Sequence, residues 1–201
     1  MVLPNQLTTL RIILTPVFLF LFLSGDSLYM QISLAVYIIA AITDWYDGWL
    51  ARKFDYITTW GKFMDPLADK ILTSTAFFAF VFIDVLSLWM VIIVVFRDLF
   101  VTGLRLFAEW QKKSFTTSRL AKIKTVVQML FIFYLLIVFT LKENEFLKNQ
   151  IPEVIKILTN STAIYFTMLA ITIFTFTTGV IYIYQNRVLI SRLFSKSDEA
   201  N

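Results

Sequence analysis

The chain contains no cysteine and no histidine. Without cysteine there is no disulfide framework and no thiolate metal site. Without histidine, imidazole cannot act as base, proton shuttle or metal ligand. Acid–base or metal chemistry must fall to Asp, Glu, Lys, Tyr or water. Charge is also scarce, at 16% of 201 residues, while 58% are hydrophobic and 17% aromatic. Soluble domains are nearer a quarter charged, so this composition points to a protein embedded in a membrane. The net charge of +4 then reads as basic loops beside anionic lipid rather than as a nucleic-acid surface. No repeats, low-complexity tracts or linkers interrupt the chain, so residues 1–201 are taken as a single domain.

Apolar stretches of about 17–25 residues can cross a bilayer. Six are read here, at about 10–24, 29–50, 67–84, 86–107, 124–141 and 161–184. The first is followed by Ser24-Gly25-Asp26-Ser27 and more apolar sequence, with no small-residue cleavage site. It is therefore read as a retained span, not a cleaved signal. Before it, Leu3-Pro4-Asn5-Gln6-Leu7-Thr8 is expected to form a short interfacial helix. The expected fold is all-α, six transmembrane helices with that short helix in front. With the N-terminus inside, 15 of the 18 basic residues face the cytoplasm and only Lys142, Lys148 and Lys156 lie outside. The positive-inside rule favours this orientation. With no presequence, the bacterial cytoplasmic membrane is the expected location.

Four carboxylates stand between the second and third stretches, in Asp44-x2-Asp47-Gly48-x2-Ala51-Arg52-x8-Gly61-x3-Asp65-x3-Asp69. Charges at or beside apolar spans are costly and are tolerated mainly where they function. Asp44 and Asp47, three apart, share a helix face; Asp65 and Asp69, four apart, share another. A helical hairpin can bring the pairs together at the cytoplasmic face. Their mutual repulsion would be relieved by one or two divalent cations, and all-oxygen ligation favours Mg²⁺ or Mn²⁺, with Ca²⁺ possible. Gly48 and Gly61 permit close approach of a ligand, Ala51 keeps the helix face low, and Arg52 offers a planar fork to phosphate. Metals, an arginine and small residues together suit a diphosphate. Two or more isolated Asp residues at helix ends are also common as simple interfacial charges, and the complete pattern is what argues otherwise.

That window matches the full signature of the CDP-alcohol phosphotransferases, membrane enzymes that join an alcohol to a phosphatidyl or similar group and release CMP. The resemblance implies a six-helix membrane fold, usually homodimeric, with a divalent-metal site open to the cytoplasm. It implies that Asp44, Asp47, Asp65 and Asp69 ligate metal, most simply two ions, and that Asp69 is also the general base on the acceptor hydroxyl. Lys70 is the alternative base. Gly48, Ala51, Arg52 and Gly61 would line the CDP site.

Further sequence bears on the acceptor. Asp98, Thr102, Arg105 and Glu109 recur every three or four residues and form a polar stripe in the fourth stretch. Arg97 lies beside it, and Arg119, Lys122, Lys124, Thr125 and Gln128 follow a basic loop. Arg97, Arg105, Arg119 and Lys122 are read as an acceptor-phosphate site. The competing reading gives Arg97 and Arg105 the carboxylates Asp98 and Glu109 as counter-charges; Lys112 and Lys113 read as lipid-facing loop charges. The wording around these residues resembles the phosphatidylglycerophosphate synthase branch. Leu3-Pro4-Asn5-x-Leu7-Thr8-x2-Arg11 is similar to its N-terminal signature, which adds Thr8 to the CDP site. Met64-Asp65-Pro66-Leu67-Ala68-Asp69-Lys70 and Lys122-x-Lys124-Thr125-x2-Gln128-Met129 are similar too. Asp98 replaces a common Glu, and Ala121 a common Gly.

The expected substrates are therefore CDP-diacylglycerol and sn-glycerol 3-phosphate, in a lipid bilayer and with no nucleic-acid partner. The alternatives are a cardiolipin synthase or another CDP-diacylglycerol-dependent synthase with a different alcohol. A cation transporter is the reading from another class. Transport sites favour the bilayer midplane and broken helices, whereas here the carboxylates cluster at one end and Gly and Pro are scarce within the spans.

Overall fold

The computed structural model describes residues 3–54, 59–111, 113, 115 and 119–195. Within these ranges the side chains of residues 3–5, 44, 45, 47–52, 54, 59, 60, 62, 145, 147 and 192–195 lie outside the description. Eight helices and no strand occur among the described residues: α1 (Leu3–Phe22), α2 (Ser27–Phe54), α3 (Thr59–Phe82), α4 (Leu88–Trp110), α5 (Arg119–Glu143), α6 (Glu145–Gln150), α7 (Pro152–Leu158) and α8 (Ser161–Ser195). The six long ones coincide with the six apolar stretches. The expected short helix before the first stretch is not a separate element, because its turns continue into α1. Residues 142–160 form the end of α5 and the short helices α6 and α7.

Local chemistry sets the turns. Gly25 adopts a left-handed φ of 73° after α1, a conformation nearly free of cost only for glycine. Asp26 then accepts the backbone N–H of Leu28 at 2.8 Å and of Tyr29 at 3.3 Å, which caps α2. Asp84, at φ 57°, closes α3 as Val85 N–H returns to the Phe80 carbonyl at 2.9 Å. At α8, Asn160 Oδ1 accepts the N–H of Ala163 at 3.1 Å.

These turns make successive long helices antiparallel, and their packing closes a ring. In the order α2, α1, α3, α4, α8, α5, each helix packs on the next, α5 returns to α2, and α3 also meets α5. The two ends of this bundle differ. At the turn end, aromatic side chains fill the centre: Tyr37 stands 5.2 Å from Phe18 and 5.5 Å from Phe133, and Phe80 stands 5.1 Å from Phe22 and 5.7 Å from Phe139. Such tilted and edge-on pairs add to burial. At the other end the interior is polar, with Thr8, Arg11, Asp98 and Lys124 all buried.

The exterior is the reverse of a water-soluble surface. Phe20 is 79% exposed, Phe96 68%, Leu130 65% and Phe176 60%. Large apolar side chains exposed in this number suit contact with membrane or with another apolar surface. Arg119–Glu143 and Pro152–Ser191 each contain an apolar window long enough to cross a bilayer, while Gln6–Phe22 and Ser27–Thr43 are shorter apolar segments.

Candidate active site

The polar end of the bundle is built from four strips of helix. α3 contributes its first half, α4 its second half, α5 its first turns and α8 its second half; together they enclose a cavity of about 290 Å³. Among its walls are Asp69 and Lys70 of α3, the α4 stripe of Asp98, Thr102, Arg105 and Glu109 with Arg97 beside it, Lys124 and Thr125 of α5, and Tyr182 of α8. The 3.6-residue period accounts for the stripe, since positions three or four apart face the same way. The cavity walls thus carry four cations against three carboxylates.

The two α3 carboxylates engage different neighbours. Thr8 of α1, fully buried, donates its hydroxyl hydrogen to Asp65. Asp69 faces the cavity, with Lys70 Nζ 3.1 Å from its carboxylate. Gly61 is buried one turn before Asp65. Asp44, Asp47, Gly48, Ala51 and Arg52 occupy the last part of α2, but their side chains lie outside the described residues. Antiparallel α2 and α3 put these positions at the polar end. Among the described residues no three acidic side chains converge on one point; only Asp65 and Asp69 of the four signature carboxylates belong to that set.

Arginine and lysine charges near the cavity have internal partners. Arg97 donates from Nη1 to Asp98 at 3.1 Å and from Nη2 to Thr178 of α8 at 3.2 Å. Lys124, 1% exposed, ion-pairs with the same Asp98 oxygen. Asp98 therefore does supply a counter-charge, as the competing sequence reading held. Yet the Nε atoms of both Arg97 and Arg105 are buried without a hydrogen bond among the described residues, and buried donors of this kind usually have a partner.

The structure brings Asp69, Arg97 and Arg105 to one cavity and leaves Arg119 and Lys122 on the exposed side of α5. Lys124, two residues further, points inward instead. The sequence carried a signal for this, because Lys124, Gln128, Phe131, Ile132 and Leu135 follow the buried helical period of α5. The contribution of α8 was not foreseen at all. Thr175, Thr178, Tyr182 and Asn186 recur at helical spacing and are buried, but within a long run of Thr, Ile and Phe they carry no motif.

Comparison with known proteins gives the family. Residues 1–177 match the family model described as CDP-alcohol phosphatidyltransferase. A relative from Bacillus subtilis (strain 168) is 40% identical over 147 residues, covering 67% of this chain and 76% of its own length. One from Rickettsia typhi is 39% identical over 127 residues, covering 63% and 71%. One from Salmonella typhimurium is 35% identical over 141 residues, covering 66% and 75%. Each of these relatives is named CDP-diacylglycerol–glycerol-3-phosphate 3-phosphatidyltransferase. The chain belongs to the CDP-alcohol phosphatidyltransferase family.

Proposed function

We propose that this protein transfers the phosphatidyl group of CDP-diacylglycerol to sn-glycerol 3-phosphate, giving phosphatidylglycerol phosphate and CMP. The names of the relatives support the substrates. The observation that carries the reading onto this chain is a single cavity lined by Asp69, Arg97 and Arg105. It sets a carboxylate beside two phosphate-binding forks. Its volume of about 290 Å³ lies just below the roughly 300–1,000 Å³ typical of ligand sites. That suits a small phosphorylated alcohol better than the two-chain lipid acceptor of a cardiolipin synthase.

In the reaction, the primary hydroxyl of glycerol 3-phosphate attacks the lipid-side phosphorus of the diphosphate. A P–O bond forms, the P–O bond to CMP breaks, and CMP leaves with the electron pair. Asp69 takes the hydroxyl proton, a role that falls to a carboxylate in a chain without histidine. Arg97 and Arg105 hold the acceptor phosphate. Arg119 and Lys122, outside the cavity, are assigned to anionic lipid at the membrane surface. Thr8 and Gly61, with Gly48, Ala51 and Arg52, are assigned to the CDP side.

The donor set fits a hard divalent cation: Asp65 and Asp69 stand one turn apart, and Thr8 fixes Asp65. Asp44, Asp47, Asp65 and Asp69 would hold one or two Mg²⁺ or Mn²⁺ ions. When bound, such ions neutralise charge on the phosphoryl oxygens and on the leaving group. We further propose six membrane spans, with the N-terminus and the site facing the cytoplasm of a bacterial inner membrane, the first turns of α1 at the interface, and a homodimer as in the family.

Purified protein given CDP-diacylglycerol with radiolabelled glycerol 3-phosphate or phosphatidylglycerol tests the acceptor. Labelled phosphatidylglycerol phosphate is expected from the first and no cardiolipin from the second; no product from glycerol 3-phosphate would sink the reading. Asp69→Asn should lower turnover by about 10²–10⁴-fold while the thermal unfolding midpoint in detergent stays close to that of the parent.

A further inference from the structure

We propose that α8 sets the pose of the acceptor-binding arginine, with Gly179 and Thr178 as positioning residues for Arg97. The inference rests on reading the cavity as the acceptor site and concerns residues beyond the family match, which ends at 177.

The first observation is a close approach. A methyl group at Gly179 would stand 2.9 Å from Arg97 Cγ, 3.3 Å from Nε and 3.7 Å from Cδ. Carbon atoms in good contact are about 3.5–4.0 Å apart, so the first distance is a clash. Cγ lies near the root of the side chain and cannot retreat without turning χ1, which would swing the guanidinium away from its present place. Glycine is a poor helix former relative to alanine, and this α8 glycine lies inside a 35-residue helix. Close approach of Arg97 gives a reason for it.

The second observation is a fixed acceptor. Thr178, 2% exposed, donates its hydroxyl hydrogen to the Thr175 carbonyl at 2.9 Å. Its oxygen lone pairs therefore face Arg97, and Nη2 donates to that oxygen at 3.2 Å. Asp98 accepts from Nη1 at 3.1 Å, so the guanidinium is gripped from α8 and from its own helix. Nε lies against Gly179. Of the four Nη–H groups of an arginine, two are engaged by these neighbours, and among the described residues the other two are open to an anion in the cavity. One turn beyond Thr178, Tyr182 lines the same cavity beside Arg105, its ring 5.7 Å from that of Phe115. α8 thus supplies Tyr182 to the wall of the site, while Thr178 and Gly179 stand behind Arg97.

The test is steady-state kinetics on the full-length protein in detergent, with both substrates varied. Gly179→Ala and Thr178→Val are each expected to raise KM for glycerol 3-phosphate by about tenfold, the loss of one charge-assisted contact, with KM for CDP-diacylglycerol within about twofold of the parent. Thr178→Ser, which keeps the hydroxyl, should restore the parental KM for glycerol 3-phosphate. A parent enzyme that uses glycerol 3-phosphate while Thr178→Val leaves its KM unchanged overturns the inference alone. Equal changes in both KM values, or a fall in kcat only, overturn it as well. A parent that makes no product from glycerol 3-phosphate overturns the acceptor assignment and this inference with it. Should Gly179→Ala not fold, the Thr178→Val and Thr178→Ser pair decides.

Discussion

Lys124 of α5 and Asp98 of α4 form an ion pair inside the cavity wall, their side chains 1% and 10% exposed. The pair ties α4 to α5 across 26 residues of sequence, and Arg97 shares the same carboxylate oxygen. Removing the carboxylate would leave two cations without their counter-charge. Breaking a buried pair from one side typically costs about 3–5 kcal/mol. Asp98→Asn is therefore expected to lower stability by about that amount, measured by thermal or denaturant unfolding in detergent. The Asp98→Asn, Lys124→Met double variant should recover part of the loss. Simple additivity of the two single changes would argue against the coupling.

Thr8 reaches Asp65 from a helix 57 positions away in sequence. If Asp65 is a metal ligand, Thr8 orients it, and outer partners of ligands are typically worth about 10–100-fold in metal affinity. Thr8→Val should raise the Mn²⁺ concentration needed for half-maximal activity by that factor and weaken Mn²⁺ binding followed by electron paramagnetic resonance. Thr8→Ser should stay near the parent. Unchanged Mn²⁺ binding in Thr8→Val would refute the role.

Arg105 and Lys122 separate the cavity from the surface. Arg105 lines the cavity, while Lys122 is exposed. Arg105→Ala should raise KM for glycerol 3-phosphate roughly ten- to a hundredfold, as expected for losing a hydrogen bond to a charged group. Lys122→Ala should change it by no more than about fivefold, the scale of an exposed charge contact. A larger effect at Lys122 would return it to the acceptor site.

Topology can be read directly, because the parent chain has no cysteine and each introduced one is a unique label. Lys148→Cys should react with a membrane-impermeant maleimide in intact cells. Lys113→Cys should react only after permeabilisation. The opposite pattern would invert the proposed orientation.

Much of the site was written in local spacing. Asp44 with Asp47, Asp65 with Asp69, and the stripe from Asp98 to Glu109 all repeat at three or four, and a helix turns any such repeat into one face whatever surrounds it. Six apolar stretches likewise gave six long helices. Spacing fixes the direction of one side chain relative to its neighbours, but it does not fix how a helix is rotated in the bundle. Lys122 and Lys124 show the difference: two residues apart, they point to nearly opposite sides of α5, and both are basic. Only the packing of α5 on α2, α3 and α8 turns Lys124 inward, to Asp98 of α4.

The sequence by itself determined an all-helical membrane chain and two carboxylate pairs at helical spacing. These rest on composition and on contacts within one or two turns. The tertiary structure alone decided that α1 holds Asp65 through Thr8, and that α8 holds Arg97 through Thr178 and leaves room for it at Gly179. Those relationships join residues 57 and 81 positions apart. Their cause is which faces close the ring, a property of the whole packed bundle that no single segment encodes.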